Sequence, residues 1–211
     1  MRWNAFDTPV HDSQRVYRQL LSAMAEPGTF AEVSGAPLAP PGAAIGTACW
    51  ATLLTLCDLD TRVWVSPELN AAGLGEALTF HTGARQTDRP EEADFALVMP
   101  ATLEGSAECE APAFQEGSDT YPDRSTTLLV VLDCLDAAGP WNLSGPGIPG
   151  RRRLDVGQGG EALMTRLAAN RARFPRGLDA ILTCGNRLAA VPRSTRITRS
   201  ASEEVDACMS P

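Results

Sequence analysis

The run Thr126–Leu132, TTLLVVL, constrains the fold more than any other stretch of the chain. Its β-branched and leucine residues follow one another without alternating with polar ones. Such a strand is apolar on both faces, so both faces are expected to be covered. Shorter strands are expected at Arg62–Val65, Asp94–Met99 (ended by Pro100) and Trp141–Ser144.

Helical stretches separate these strands. Asp12 or Ser13 can cap a helix running to about Ala25, with Val16, Leu20, Leu21 and Met24 on one face and Glu26-Pro27-Gly28 ending it. Such a helix either lies on the surface or docks on a partner subunit. Residues 34–42 read as a loop. Ala43–Cys57 is apolar around most of its circumference and reads as a buried helix. A third helix is expected at about Glu68–Phe80, closed by His81-Thr82-Gly83. A fourth is expected from Gly160 or Glu161 to Arg173, its basic tail suited to a helix C-terminus. Residues 101–124 are rich in Gly, Pro, Glu and Asp and read as an irregular segment or a short helix.

Near the C-terminus two apolar runs, Leu178–Cys184 and Leu188–Val191, flank Gly185-Asn186, a pair that tolerates the positive φ of a tight turn. This is a two-stranded core hairpin. Strands separated by helices, plus this antiparallel pair, predict an α/β fold: a three-layer αβα sandwich with a mixed, partly parallel sheet. A single domain is expected over residues 1–197, followed by a polar, disordered tail over 198–211. At this size a chain buries roughly 70% of its unfolded surface and needs no staples.

Composition excludes several functions. The net charge of −8 and the 6% aromatic content offer no nucleic-acid surface. No apolar run approaches the ~20 residues that span a bilayer, and MRWNAFDTPVHD lacks the apolar stretch of a signal peptide. The expected location is the cytoplasm, with no membrane contact. All 18 basic residues are arginine. Without lysine there is no side-chain amine for a Schiff base, so covalent pyridoxal-phosphate or aldolase-type chemistry is excluded. The six cysteines, Cys49, Cys57, Cys109, Cys134, Cys184 and Cys208, form no C-x-x-C pair and read as buried free thiols. The only histidines are His11 and His81, and His81 reads as a capping or core residue. No metal and no cofactor are expected.

Two places could hold an anion. Ser144, Gly145 and Gly147 form a Ser-Gly-Pro-Gly loop whose amides could approach a phosphate, with Arg151-Arg152-Arg153 close behind. The loop matches neither a P-loop nor a G-x-G-x-x-G pattern. Beyond Val191, Arg193 and Thr195 cluster with Ser194 and Arg196. The expected ligand residues are therefore Ser144, Gly145, Gly147, Arg193 and Thr195.

Three stretches carry a family resemblance: FDTPVHDSQRVYRQLLSAMAEPG at the N-terminus, LSGPGI at Leu143–Ile148, and FPRGLDAILTCGNRLAAVPRST from Phe174. In this order they resemble the PhnH family of the bacterial carbon–phosphorus lyase system. The resemblance implies a fold like that of the pyridoxal-phosphate-dependent transferases, here without the cofactor lysine. It implies a homodimer that joins the PhnG, PhnI and PhnJ subunits of a core complex. It also implies a part in making α-D-ribose 1-methylphosphonate 5-triphosphate from ATP and alkylphosphonate, with a later radical step on the J subunit breaking the carbon–phosphorus bond. The alternative is an autonomous small-molecule enzyme or phosphate- or nucleotide-binding protein, using the Ser144–Gly147 loop with Cys184 as nucleophile or Asp179 as acid/base.

Overall fold

The apolar runs become strands and the periodic runs become helices. The computed structural model describes residues 2–71, 73–104 and 110–200. In chain order the elements are α1 (Pro9–Ala25), β1 (Ala31–Glu32), α2 (Thr47–Leu56), β2 (Arg62–Val65), α3 (Leu74–Thr82), β3 (Arg85–Gln86), β4 (Phe95–Val98), β5 (Thr127–Val131), β6 (Asp136–Gly145), β7 (Ile148–Asp155), α4 (Gly160–Ala168), α5 (Asn170–Arg173), β8 (Asp179–Cys184), β9 (Arg187–Val191) and β10 (Arg196–Arg199).

Seven strands form one sheet in the order β1-β9-β8-β5-β4-β2-β3. Strands β3, β2, β4, β5 and β8 are parallel, while β9 runs antiparallel to both β8 and β1. The sheet is therefore mixed, as expected. Its antiparallel pair is the predicted hairpin, with Cys184 opposite Arg187 across the Gly185-Asn186 turn.

Alternation along the central strands sends successive side chains into two cores. Leu129, Val131, Ile181, Leu188 and Ala190 pack on one face with Val16 and Leu20 of α1, Trp50 and Leu53 of α2, and Leu74 and Leu78 of α3. Leu128, Val130, Leu182, Ala189 and Val191 pack on the other. Burying each such leucine is worth about 1.5–3 kcal/mol. The second face departs from the expectation of helices on both sides. Alongside α4 it is covered by a three-stranded antiparallel sheet, β10-β6-β7, through Trp141, Leu143, Ile148, Leu154 and Ile197. The strand expected at Trp141–Ser144 is thus the end of a longer one. Its partner β7 contains Arg151–Arg153, the run close behind the expected Ser-Gly-Pro-Gly loop. Strand β10 continues through Arg199, and Ser200 donates its amide to the Pro140 carbonyl at 2.7 Å, so ordered pairing runs beyond Ile197. The rest of the expected tail, 201–211, lies outside the described residues, as do Cys109 and Cys208.

Helix boundaries moved where local hydrogen bonds overruled periodicity. Helix α1 starts at Pro9, whose fixed φ suits a first turn. Asp12 is consequently inside the helix rather than at its cap. Its Oδ2 accepts the amide and hydroxyl of Thr8 at 2.9 and 2.8 Å, and its Oδ1 accepts Arg15 Nη2 at 2.8 Å. Helix α3 starts at Leu74 rather than Glu68, because the Ser66 carbonyl draws the amides of Leu69 and Asn70 into a turn. The expected helix through Arg173 breaks at Ala169 into α4 and α5.

That break delivers Asn170 to the start of β8. Its side chain is buried, donates Nδ2 to the Leu178 carbonyl at 2.9 Å, and accepts the Leu178 amide on Oδ1 at 3.0 Å. Asn170→Ala leaves both backbone groups buried and unpaired, so a loss of roughly 2 kcal/mol is expected in denaturant unfolding. An unchanged midpoint would show that the clamp is dispensable. A second expectation concerns acid. The Thr8 amide, then its hydroxyl and Arg15, hold the Asp12 carboxyl below its ordinary value. A depressed carboxyl contributes stability above the unfolded value and loses it as pH falls through the folded one. The stability difference between the wild type and Asp12→Asn should therefore close on acidification, as followed by thermal melts across pH.

Candidate functional site

The structure brings three of the five expected ligand residues together. Ser144 pairs with Arg196 across the β6–β10 ladder. A Cβ built on Gly145 would lie 3.3 Å from the Ser194 carbonyl and 3.8 Å from Thr195 Cα. Thr195 is buried, and its Oγ1 has no hydrogen-bond partner among the described residues. Gly147 lies apart from these three. With Pro146 it forms the tight turn between β6 and β7, at a φ of 76°. A Cβ there would stand 1.9 Å from the Ala25 carbonyl, so the turn is seated on the end of α1.

Arg193 is committed to the protein. Its Nε donates to both carboxylate oxygens of Asp179, at 3.2 and 3.0 Å, and its Nη2 donates to Asp179 Oδ2 and Ser125 Oγ. Nη1 donates to the Pro122 carbonyl, and the Arg193 amide donates to Asp179 Oδ1 at 2.7 Å. The fork-to-fork pair fixes the exit of β9 against the start of β8. Asp179 pairs in register with Thr127 at the start of β5, so this cluster sits at the amino ends of the parallel strands. Ligands of α/β sheets usually bind outside the carboxyl ends.

Cys184 does stand at a carboxyl end. Its thiol donates to the Asp133 carbonyl at 3.5 Å, and its side chain packs with the core that also holds α4. The histidines lie elsewhere: His11 on α1, and His81 on α3 with Nε2 3.0 Å from the Trp3 carbonyl. Both elements pack on the opposite face of the sheet. Of the other thiols, Cys49 is pushed up by burial, and Cys57 is pushed up to about 12, chiefly by burial and then by Asp58. A thiol held protonated is a poor nucleophile. Among the described residues, no three His, Cys, Asp or Glu side chains converge as a metal site requires.

Two concavities had no signal in the sequence. The larger, about 1090 Å³, runs between the N-terminal segment and α3, where Arg2, Trp3, Phe6, Glu76, Phe80 and His81 line it. Trp3 meets Trp50 with ring centroids 4.7 Å apart and planes tilted by 53°, and Trp50 Nε1 donates to the Asn4 carbonyl at 2.8 Å. The smaller, about 450 Å³, is bounded by Gly28, Thr29, Phe30, Ala137, Arg152 and Arg153. Both join residues far apart in the chain, so no local pattern marks them.

The Arg193–Asp179 pair is largely shielded, with side chains 14% and 16% exposed. Removing one partner from such a pair strands the other charge. Arg193→Ala and Asp179→Asn should each lower stability by roughly 3 kcal/mol in urea unfolding. The double variant should cost less than the sum of the two. Additive effects would mean that the pair is not coupled.

Comparison with known proteins adds to this geometry. Residues 4–198 match the family described as "Bacterial phosphonate metabolism protein (PhnH)". The chain is 39% identical over 197 residues to the alpha-D-ribose 1-methylphosphonate 5-triphosphate synthase subunit PhnH of Rhizobium meliloti, covering 92% of this chain and 94% of that one. It is 27% identical over 196 residues to the putative C-P lyase subunit protein HtxG of Stutzerimonas stutzeri, covering 92% of this chain and 89% of that one. With nearly its whole described length matched, the chain belongs to the PhnH family of bacterial phosphonate metabolism.

Proposed function

We propose that this chain is a subunit of a bacterial carbon–phosphorus lyase core complex, needed for forming α-D-ribose 1-methylphosphonate 5-triphosphate from ATP and an alkylphosphonate. The observation that carries the reading is the near full-length match to a relative named as a subunit of that synthase. The residues support a subunit over a self-sufficient enzyme. Lysine is absent, Cys184 has no histidine hydrogen-bonded to it among the described residues, and both oxygens of Asp179 are taken by Arg193.

The chain forms a homodimer and joins PhnG, PhnI and PhnJ in the cytoplasm. Among the described residues, no helix is long and apolar enough to cross a membrane. Val10, Tyr17 and Leu21 of α1 are 77%, 47% and 52% exposed and share one side of the helix, an apolar stripe suited to a subunit contact. The mixed sheet with two covered faces accords with a single α/β domain, carried past the expected end at 197 by strand β10, and with a three-layer fold resembling the pyridoxal-phosphate-dependent transferases, stripped of the cofactor's lysine. Ligand binding by Ser144, Gly145, Gly147, Arg193 and Thr195 would require Arg193 to leave Asp179. The geometry favours a structural role for that arginine.

The test is native mass of the chain expressed alone and together with PhnG, PhnI and PhnJ. A dimer alone that enters a stable hetero-oligomer on co-expression is expected. A chain that ignores those partners would refute the subunit reading.

A further inference from the structure

The net charge is −8, yet β7 carries three consecutive arginines. Strand alternation splits them: Arg151 and Arg153 are exposed, while Arg152 turns toward the protein. Arg152 Nη1 donates to the Pro27 carbonyl at 2.9 Å, and its nearest carboxylate is the exposed Glu26, 3.6 Å from Nη2. Arg153 Nε donates to the Gly139 carbonyl at 2.9 Å, and the side chain forms no ion pair among the described residues. Arg187 lies over the Phe30 ring, 4.6 Å from its centroid. Arg153 and Arg187 are thus oriented by neutral partners, a carbonyl and a ring face, which set their positions and leave their charges uncompensated, while Arg152 is shared between the Pro27 carbonyl and the exposed Glu26 carboxylate.

Arg152 and Arg153 line the cleft of about 450 Å³, together with Gly28, Thr29, Phe30 and Ala137, and Arg187 reaches it through its stack on Phe30. Of the nearby acids, Glu26 pairs with Arg152 and Glu32 stands opposite Arg187 across the β1–β9 pair, while two others are engaged by backbone amides. Asp136 Oδ1 accepts the amides of Ala137 and Ala138, at 2.6 and 3.3 Å, and Asp155 Oδ1 accepts the Gly157 amide at 3.0 Å. Arg187 is in register with Cys184, the last residue of β8, so Phe30 and its stacked arginine stand beside the carboxyl end of a parallel strand. That is the side on which α/β sheets place ligands.

We propose that this cleft is a binding site for a phosphate- or phosphonate-bearing small molecule, with Arg152, Arg153 and Arg187 supplying the charge. Planar guanidinium forks match tetrahedral oxyanions by paired hydrogen bonds. A concave pocket of this size suits a small ligand rather than a flat protein surface. Narrowing the ligand to a sugar triphosphate rests on the function proposed above, whereas the capture of inorganic triphosphate does not.

The experiment is calorimetric titration of inorganic triphosphate and of ATP into the full-length chain and into its co-purified assembly. Wild type is compared with Arg153→Ala, Arg187→Ala, the double variant and Arg151→Ala. Saturable binding that weakens with salt is expected, with a loss of about tenfold or more in the double variant. Arg151→Ala should bind as wild type does, and thermal melts of the unliganded variants should match it. No saturable binding to either form, or binding that the double variant retains, overturns the proposal. So does a double variant that loses only its assembly with partner subunits, which would make the arginines a docking surface. A chain that assembles but captures no triphosphate refutes the site and leaves the subunit reading intact. A chain that binds but does not assemble does the reverse.

Discussion

The carbonyl of Gly185 is where the layers of this protein are tied together. It accepts the Ala48 amide at 3.0 Å, satisfying one of the donors that the first turn of α2 leaves without an intrahelical partner. The next carbonyl, of Asn186, accepts the Val33 amide at 2.8 Å and so holds the chain just after β1. The approach is close: a Cβ on Gly46 would stand 2.3 Å from the Gly185 oxygen. Gly185 itself has a φ of 56°, which costs a larger residue strain. One turn near the C-terminus therefore seats a helix and a segment from the first quarter of the chain.

Strand β8 is held at its other end as well. Asn170 clamps Leu178, and Arg193 grips Asp179 from the exit of β9. Between these fixings, β8 and β5 contribute side chains to both cores. Strands apolar on both faces cannot remain stable with one face wet, so the chain must supply two covers. Helices α1, α2 and α3 form one. The other is shared by α4 and the small sheet β10-β6-β7. Building part of that cover from strands has a functional consequence. A strand carrying consecutive arginines sends one inward and its neighbours outward, so β7 both closes a core through Leu154 and lines a cleft with charge.

Legibility in the sequence followed the strength of the local signal. Arg62–Val65 and the terminal hairpin were readable because apolar runs bounded by turn residues have few alternative folds. Strand β7 was not readable. Its apolar residues, Ile148 and Leu154, are separated by Pro149, Gly150 and three arginines, a composition shared with loops, and only pairing with β6 makes it a strand. The start of α3 and the position of Asp12 were missed for a related reason. Both are decided by individual hydrogen bonds, at the Ser66 carbonyl and at Thr8, that periodicity does not encode. Arg193 illustrates the same limit at a candidate site. A charged residue after a strand reads as available for a ligand until its acceptors, Asp179, Ser125 and the Pro122 carbonyl, are seen around it.

The sequence by itself determined the family, the mixed α/β class and the exclusion of Schiff-base chemistry, because these rest on runs, motifs and the absence of one side-chain type. Only the tertiary structure decided which polar groups are spent and which are left over. Arg193 and Arg153 are chemically identical, and each stands close to a stretch that the sequence offers as an anion site. One is neutralised by a carboxylate from the start of β8, and the other is held by a carbonyl with its charge intact. That difference arises from residues brought close by folding: each arginine stands 14 residues from its partner, at a spacing that no helical or strand period links.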